Sequence, residues 1–89
     1  MSPKELNLET QKIWQKALPI RGENPKILRK DLYNNKIRRA SYGTQGKYGW
    51  EIDHKNPKSK GGSDQKKNLQ PLHWKENRKK STKKTHKGK

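Results

Sequence analysis

Apolar residues recur at helical spacing near the start of the chain. One face of a helix is formed by Leu6, Ile13, Trp14, Ala17 and Leu18. Residues 2–5 are typical of a helix start, because Ser2 can cap the first turn and Pro3 suits its first position. Pro19 cannot continue a helix. We therefore predict an amphipathic N-terminal helix that ends before Pro19, followed by a loop over residues 20–25.

Two short segments after this loop have the character of strands. Residues 27–33 and 36–42 predict a hairpin, because Asn34-Asn35 between them can form a tight turn in which asparagine tolerates a positive φ angle. A helix across residues 36–41 is the alternative. Residues 43–49 are rich in glycine and are expected to be irregular.

A second pair of strands is predicted on either side of a long loop. Residues 50–54 read Trp-Glu-Ile-Asp-His and predict a strand with a polar end, and residues 69–72 predict its partner. A proline and a glycine pair between them predict a loop over residues 56–67.

The end of the chain changes from an amphipathic segment to a basic one. A helix should open at residues 73–74 and run to about Lys80. The last positions are almost only Lys, Thr, His and Gly, so we predict a disordered basic tail over residues 82–89. The chain is then a single domain over residues 1–81, and its most informative part is residues 48–81.

The charge of the chain narrows the class of partner. Lys and Arg outnumber Asp and Glu by 24 to 8, which gives a formal net charge of +16. Such a surplus favours a polyanion, either nucleic acid or an anionic membrane surface. The membrane is disfavoured, because the sequence has neither an apolar run long enough to span a bilayer nor the apolar segment of a signal peptide.

The apolar content decides between a folded domain and a basic disordered protein. Only 24% of the residues are hydrophobic, which alone suggests disorder. The apolar residues are large, however, and lie in patterned segments, so we predict a small core that contains Trp14, Trp50 and Trp74. The chain has no cysteine, which excludes disulfides and a zinc site made of thiolates within it.

Four polar residues in the last half of the chain carry candidate chemistry. Asp53 and His54 are adjacent at a predicted strand end, and Asn68 and Asn77 follow the glycine-containing loop. Hydrolysis of a phosphodiester requires a water nucleophile, a base, and positive charge for the phosphate and the leaving oxygen. A histidine with an ordinary pKa of about 6.5 can serve as the base. Carboxylate and amide oxygens suit a hard divalent ion.

This stretch resembles the HNH, or ββα-metal, endonuclease family. The matching residues are Asp53-His54, Pro57, Ser59, Gly61-Gly62, Asn68-Leu69-Gln70, Asn77 and Lys80. A wider likeness to small phage and bacterial HNH proteins rests on Arg29-Lys30-Asp31, Tyr42-Gly43, Tyr48-Gly49-Trp50 and Leu69-Gln70-Pro71-Leu72. The resemblance implies an α+β fold, in which a two-stranded antiparallel β-hairpin and a helix surround one metal ion. The N-terminal helix and an extra hairpin would precede this core.

The resemblance also implies a role for each matching side chain. Asp53 binds the metal, and His54 is the general base that activates water against a DNA phosphodiester to leave 5′-phosphate products. Asn68 holds the catalytic loop and keeps the imidazole oriented, and Asn77 completes the protein share of the metal shell. Glu51 matches a supporting acidic position that is structural or paired with an arginine.

The expected cofactor is one divalent metal ion. Asn77 stands where many relatives have histidine, so we expect magnesium or manganese, with zinc and nickel as alternatives. Many members of the family also bind a structural zinc through two pairs of cysteines. In this chain His73 and Glu76 occupy the positions of the second pair, so we expect no structural zinc. For His73 we favour a structural or DNA-facing role over that of an additional metal ligand.

Basic residues flank the motif. We predict a nucleic-acid-binding surface formed by Arg38, Arg39, Lys58, Lys60, Lys66, Lys67, Arg78, Lys79 and Lys80. The expected partner is double-stranded DNA, and RNA is the alternative. We expect the protein to be a monomer in the cytoplasm of a bacterial or phage-infected cell. A larger partner protein that confers sequence specificity is possible. The alternatives are a catalytically silent nucleic-acid-binding module on the same fold and a structural basic protein without metal dependence.

Overall fold

The computed structural model describes residues 6–87, and of residues 81–87 only the backbone. The first helix, α1, spans Leu8–Trp14, and Asn7 caps it by accepting a hydrogen bond of 2.8 Å from the amide of Thr10. The predicted cap at Ser2 lies outside the described residues. The predicted extension of the helix to Pro19 is wrong, because tight turns after Trp14 replace the helical hydrogen bonds.

A three-stranded antiparallel sheet follows α1. Its strands are β1 (Leu18–Pro19), β2 (Leu28–Lys30) and β3 (Lys36–Arg38), in that order. The predicted extra hairpin is confirmed by β2 and β3, and its turn contains Asn34 with a φ of 71°, the left-handed region that asparagine tolerates. β1 was not predicted. Pro19 occupies this edge strand, where its missing N–H removes no ladder hydrogen bond.

The alternative of a helix over residues 36–41 is wrong for the first half of the segment. β3 takes the first part of the segment, and only Arg39–Ser41 forms a short 3-10 turn. Pairing with β2 places Ile37 fully inside the core. Burial of this β-branched side chain favours a strand over a helix at this position.

The second sheet is the hairpin on which the candidate chemistry lies. β4 (Trp50–His54) and β5 (Leu69–His73) pair antiparallel, and α2 (Trp74–Lys87) follows β5 directly. The loop between the strands contains short 3-10 turns at Lys58–Lys60 and Lys66–Asn68. Two helices and antiparallel sheets confirm the predicted α+β class.

α2 is longer than the sequence predicted. Its backbone continues to Lys87, so the predicted end near Lys80 is wrong, whereas the disorder of the basic tail stays a prediction. No proline or glycine interrupts residues 74–87, and the straight side chains of lysine favour a helix. Residues 88–89 of the predicted tail lie outside the described residues. Within residues 6–87, no helix has the length and the apolar character needed to cross a membrane.

The core lies between α1, β3 and β4. The ring of Trp50 is fully buried, and its centroid lies 5.3 Å from that of Trp14 and 4.8 Å from that of Tyr42. Around these rings pack Leu6, Ala17, Ile37 and Ile52. The predicted core positions Trp14 and Trp50 are confirmed, whereas Trp74 is only half-buried. Large aromatic rings compensate for the small number of apolar residues.

Candidate active site

A cleft of about 300 Å³ opens between the end of β4, the loop that follows it and α2. It is lined by Ile52, Asp53, His54, Pro57, Lys58, Ser59, Asn77 and Lys80. The predicted site residues Asp53, His54 and Asn77 therefore share one cleft. β4 supplies the first two at its carboxyl end, and packing of α2 against the hairpin brings Asn77 to them.

Asp53 forms a buried ion pair in the cleft. Its side chain is 7% exposed, and its Oδ2 accepts hydrogen bonds of 2.7 Å from Lys80 Nζ and 2.8 Å from Gln70 Nε2. Lys80 also donates to the backbone oxygen of His54 at 2.9 Å. These contacts offset the cost of burying the carboxylate. Lys80, which was predicted to contact phosphate, is thus bound to Asp53. The other carboxylate oxygen of Asp53, Oδ1, is the one that a cation in the cleft could reach.

His54 is held by a residue that sequence reasoning missed. Its Nε2 lies 2.8 Å from Asp64 Oδ1, and Lys58 Nζ donates to Asp64 Oδ2 at 2.9 Å. The hydrogen bond from His54, followed by that from Lys58, lowers the pKa of the Asp64 carboxyl. The carboxylate is therefore the acceptor, Nε2 carries the hydrogen, and Nδ1 is left as the nitrogen that can accept a proton.

Asn77 is oriented by an acidic residue of β4. Its Nδ2 donates to Glu51 Oε1 at 2.7 Å, and Arg78 donates to Glu51 Oε2 at 3.1 Å. Because the amide nitrogen is bound to a carboxylate, the orientation of the amide group is fixed and its oxygen is turned away from Glu51. The predicted pairing of Glu51 with an arginine corresponds to the contact with Arg78.

Asn68 joins the two ends of the loop between β4 and β5. Its Oδ1 accepts a hydrogen bond of 2.8 Å from the amide of Asn56, and its Nδ2 donates to the carbonyls of Asn56 at 3.0 Å and Ser63 at 2.7 Å. The contact with Ser63 fixes the residue that precedes Asp64. Asn68 is therefore connected to His54 through the loop that carries Asp64, and its described hydrogen bonds do not include the imidazole.

His73 lies at the corner between β5 and α2, outside the cleft. Its Nε2 is 2.8 Å from the carbonyl of Lys47, and its Nδ1 accepts from the amide of Lys75 at 3.1 Å. Both ring nitrogens are thus engaged by the backbone, which fits the favoured structural role. The neighbouring Trp74 donates from Nε1 to the carbonyl of Gly46 at 2.8 Å and ties the glycine-rich segment to the same corner.

A polar network also holds this corner. Asp31 Oδ2 accepts from the backbone amide of His73 at 3.0 Å, and Asn35 Nδ2 donates to Glu76 Oε2 at 3.3 Å. The turn of the β2–β3 hairpin is therefore linked to the start of α2.

The predicted nucleic-acid-binding residues lie on several elements of the fold. Only Lys58 and Lys80 line the cleft. Lys66 pairs with Glu9 at 3.6 Å and Lys79 with Glu76 at 3.7 Å. Exposed on the surface are Arg38, Lys58, Lys60, Lys66, Lys67, Arg78 and Lys79, whereas Arg39 and Lys80 are half-buried.

The oxygen donors in the cleft fit a hard divalent ion better than a zinc ion. Within the described part of the chain, no group of three or more His, Cys, Asp and Glu side chains is arranged to hold a metal ion. Asp53 and Asn77 instead offer a carboxylate and an amide oxygen on one cleft. Magnesium typically binds through one or two protein carboxylates and keeps several waters, so this small donor set is compatible with it.

The fold and the cleft together define a class of protein. A β-hairpin followed by a helix presents a histidine, a carboxylate and an amide in a basic cleft, as expected of a metal-dependent enzyme that acts on phosphodiesters. Among models of known families, that of the HNH endonuclease matches residues 38–83, which is more than half of the chain. The chain therefore belongs to the HNH endonuclease family, whose members are nucleases that act on nucleic acid, generally DNA. Neither the curated proteins nor the solved structures that were compared with it gave a match.

Proposed function

We propose that this protein hydrolyses DNA phosphodiester bonds, with His54 as the general base and a divalent metal ion held by Asp53 and Asn77. The observation that carries the proposal is the convergence of these three side chains on one cleft. Lys58 and Lys80 line the same cleft, where Lys58 pairs with Asp64 and Lys80 with Asp53, so the metal ion would supply most of the positive charge that a phosphate requires.

The reaction follows from the hydrogen bond of His54. Nδ1 accepts a proton from water while the water oxygen forms a bond to phosphorus. The bond from phosphorus to the 3′ oxygen breaks, and the leaving oxygen takes a proton from solvent, which gives a 5′-phosphate end. The divalent ion, most suitably magnesium or manganese, supplies positive charge for the phosphate and the leaving oxygen. Asp64 holds the ring through Nε2 and stabilises the imidazolium that forms, and Asn68 keeps the loop in place.

The charge of the chain supports DNA as the substrate. With a net charge of +16, binding should be dominated by contacts to phosphates, fall steeply with salt and depend little on base sequence. We also propose that the protein acts as a monomer.

A plasmid nicking assay tests the proposal. The wild-type chain should nick supercoiled DNA with magnesium or manganese, and EDTA should stop the reaction. His54→Ala should lower the rate by about 10²- to 10⁴-fold and leave DNA binding nearly unchanged. His86→Ala, which removes a histidine to which no role is assigned, is the matched control.

Two outcomes would contradict the proposal. Absence of nicking with magnesium, manganese, nickel and zinc would favour the silent binding module. Wild-type activity of Asp53→Ala would show that the metal ion is held elsewhere. Because Asp53 also pairs with Lys80 and Gln70, the fold of this variant should be checked by circular dichroism.

A further inference from the structure

A second, smaller hollow of about 80 Å³ lies between the end of α1, β2 and the β4–β5 hairpin. It shares no lining residue with the catalytic cleft. Three lysines line it, Lys16, Lys30 and Lys55, although they come from distant parts of the sequence. None of them belongs to the basic surface that the sequence predicted.

The position of Lys16 is fixed by the fold. Its Nζ donates to the backbone carbonyl of Lys66 and, at 2.9 Å, to that of Leu69. Burial, followed by the positive charge of Lys55, lowers the pKa of Lys16. Lys16 and Lys55 line the same hollow, and an anion bound between their ammonium groups would reduce the repulsion between them.

The charge in the hollow is not balanced by the protein. Lys30 and Lys55 make no side-chain hydrogen bond or ion pair with any residue in the described range 6–87. The carboxylate at the edge of the hollow, Asp31, already accepts hydrogen bonds from Tyr33, Asn35 and His73. The hollow is thus lined by three lysines and by one carboxylate whose oxygens are occupied.

We propose that this hollow is a phosphate-binding subsite that holds a backbone phosphate of nucleic acid away from the scissile bond. A small concave site with several ammonium donors suits a tetrahedral oxyanion, and lysine acts there as a point charge. Lys55 directly follows His54 in the chain, so the subsite adjoins the catalytic cleft. The proposal relies on the nucleic-acid partner of the proposed function, but not on catalysis.

Equilibrium binding of a short DNA duplex over a range of salt concentrations tests the subsite. EDTA is included so that no cleavage occurs and the result does not depend on turnover. The test variant is Lys30→Gln/Lys55→Gln. The matched control is Lys26→Gln/Lys75→Gln, which removes two exposed lysines that line neither cavity. Relative to this control, the test variant should bind more weakly and lose about 1 unit of slope in the plot of log K against log salt, as for one lost phosphate contact. Equal affinity and slope in the two variants would overturn the proposal.

A titration of the wild-type chain with inorganic phosphate provides a second readout that does not depend on a variant folding. Phosphate should shift the amide resonances of Lys16, Lys30 and Lys55 in NMR spectra, and the DNA duplex should shift the same resonances. Shifts with inorganic phosphate but not with DNA would identify a site for free phosphate and overturn the nucleic-acid assignment. Absence of shifts with both would overturn the subsite itself.

Discussion

Nε2 of His54 lies 2.8 Å from Oδ1 of Asp64, and this contact spans ten positions of the loop between β4 and β5. The imidazole is thereby fixed in one orientation and one tautomer. A base held in this way loses less conformational freedom when it takes the proton of water. The other carboxylate oxygen of Asp64 is bound by Lys58, so the orienting group is itself held in place.

Replacing Asp64 by asparagine should therefore slow the reaction without unfolding the protein. We expect kcat to fall by about 10- to 100-fold, as for other groups that orient a catalytic side chain, and KM to change less. Steady-state kinetics of the nicking reaction check both parameters.

Two further results show whether Asp64 acts through His54. Asp64→Glu restores the carboxylate and should recover part of the lost rate. Equal values of kcat for Asp64→Asn and Asp64→Glu would mean that the carboxylate does not act on His54 and that Asp64 only supports the loop.

The carboxyl of Asp64 should itself titrate below its ordinary pKa. The hydrogen bond from His54, and then that from Lys58, favours the ionised form. Because the pKa is lowered on folding, the stabilisation is present above the unfolded pKa and is lost as the pH falls through the folded pKa. Carboxyl carbon NMR of the wild type and of His54→Gln checks this, and the Asp64 pKa should be higher in the variant. Equal titration curves would contradict the contact.

Local sequence signals predicted the elements on which the site is built. The strand predicted over residues 50–54 has the same bounds as β4. The turn predicted at Asn34-Asn35 lies in the β2–β3 hairpin. These elements are determined by neighbours in the sequence. The start of α1 was harder to predict, because Ser2 and Asn7 are both residue types that cap helices.

Contacts across the fold explain what the sequence could not predict. Asp64 lies in a loop of turn-forming residues, and nothing in its neighbours indicates that it will reach His54. Similarly, Lys80 was assigned to phosphate because of its charge, whereas the burial of Asp53 places it on that carboxylate. Such pairings depend on how α2 and the loop pack on the hairpin, which no spacing in the sequence encodes.

The loop should not tolerate a side chain at Gly62. A Cβ there would lie 1.7 Å from the backbone oxygen of Asn56, so Gly62→Ala must displace the loop that carries Asp64. We expect nicking to fall by about tenfold or more, since small displacements of catalytic groups have effects of this order. Gly46→Ala is the matched control, because the nearest atom to its Cβ is 3.9 Å away. Equal activity of the two variants would show that the loop can adjust without cost to the site.

Asp31 should be among the side chains that stabilise the fold most. It is 1% exposed, and its carboxylate accepts from the backbone amides of Tyr33, Asn35 and His73 at 2.9 to 3.0 Å. Asp31→Ala would leave several of these donors buried without a partner, at a cost of about 3 kcal/mol in the free energy of unfolding. In a domain of this size the Tm should fall by about 10 °C or more. Glu23→Ala removes an exposed carboxylate 3.9 Å from a lysine and should change the Tm little. If thermal melts show the same small shift for both variants, the hairpin turn and the start of α2 are not held together by Asp31.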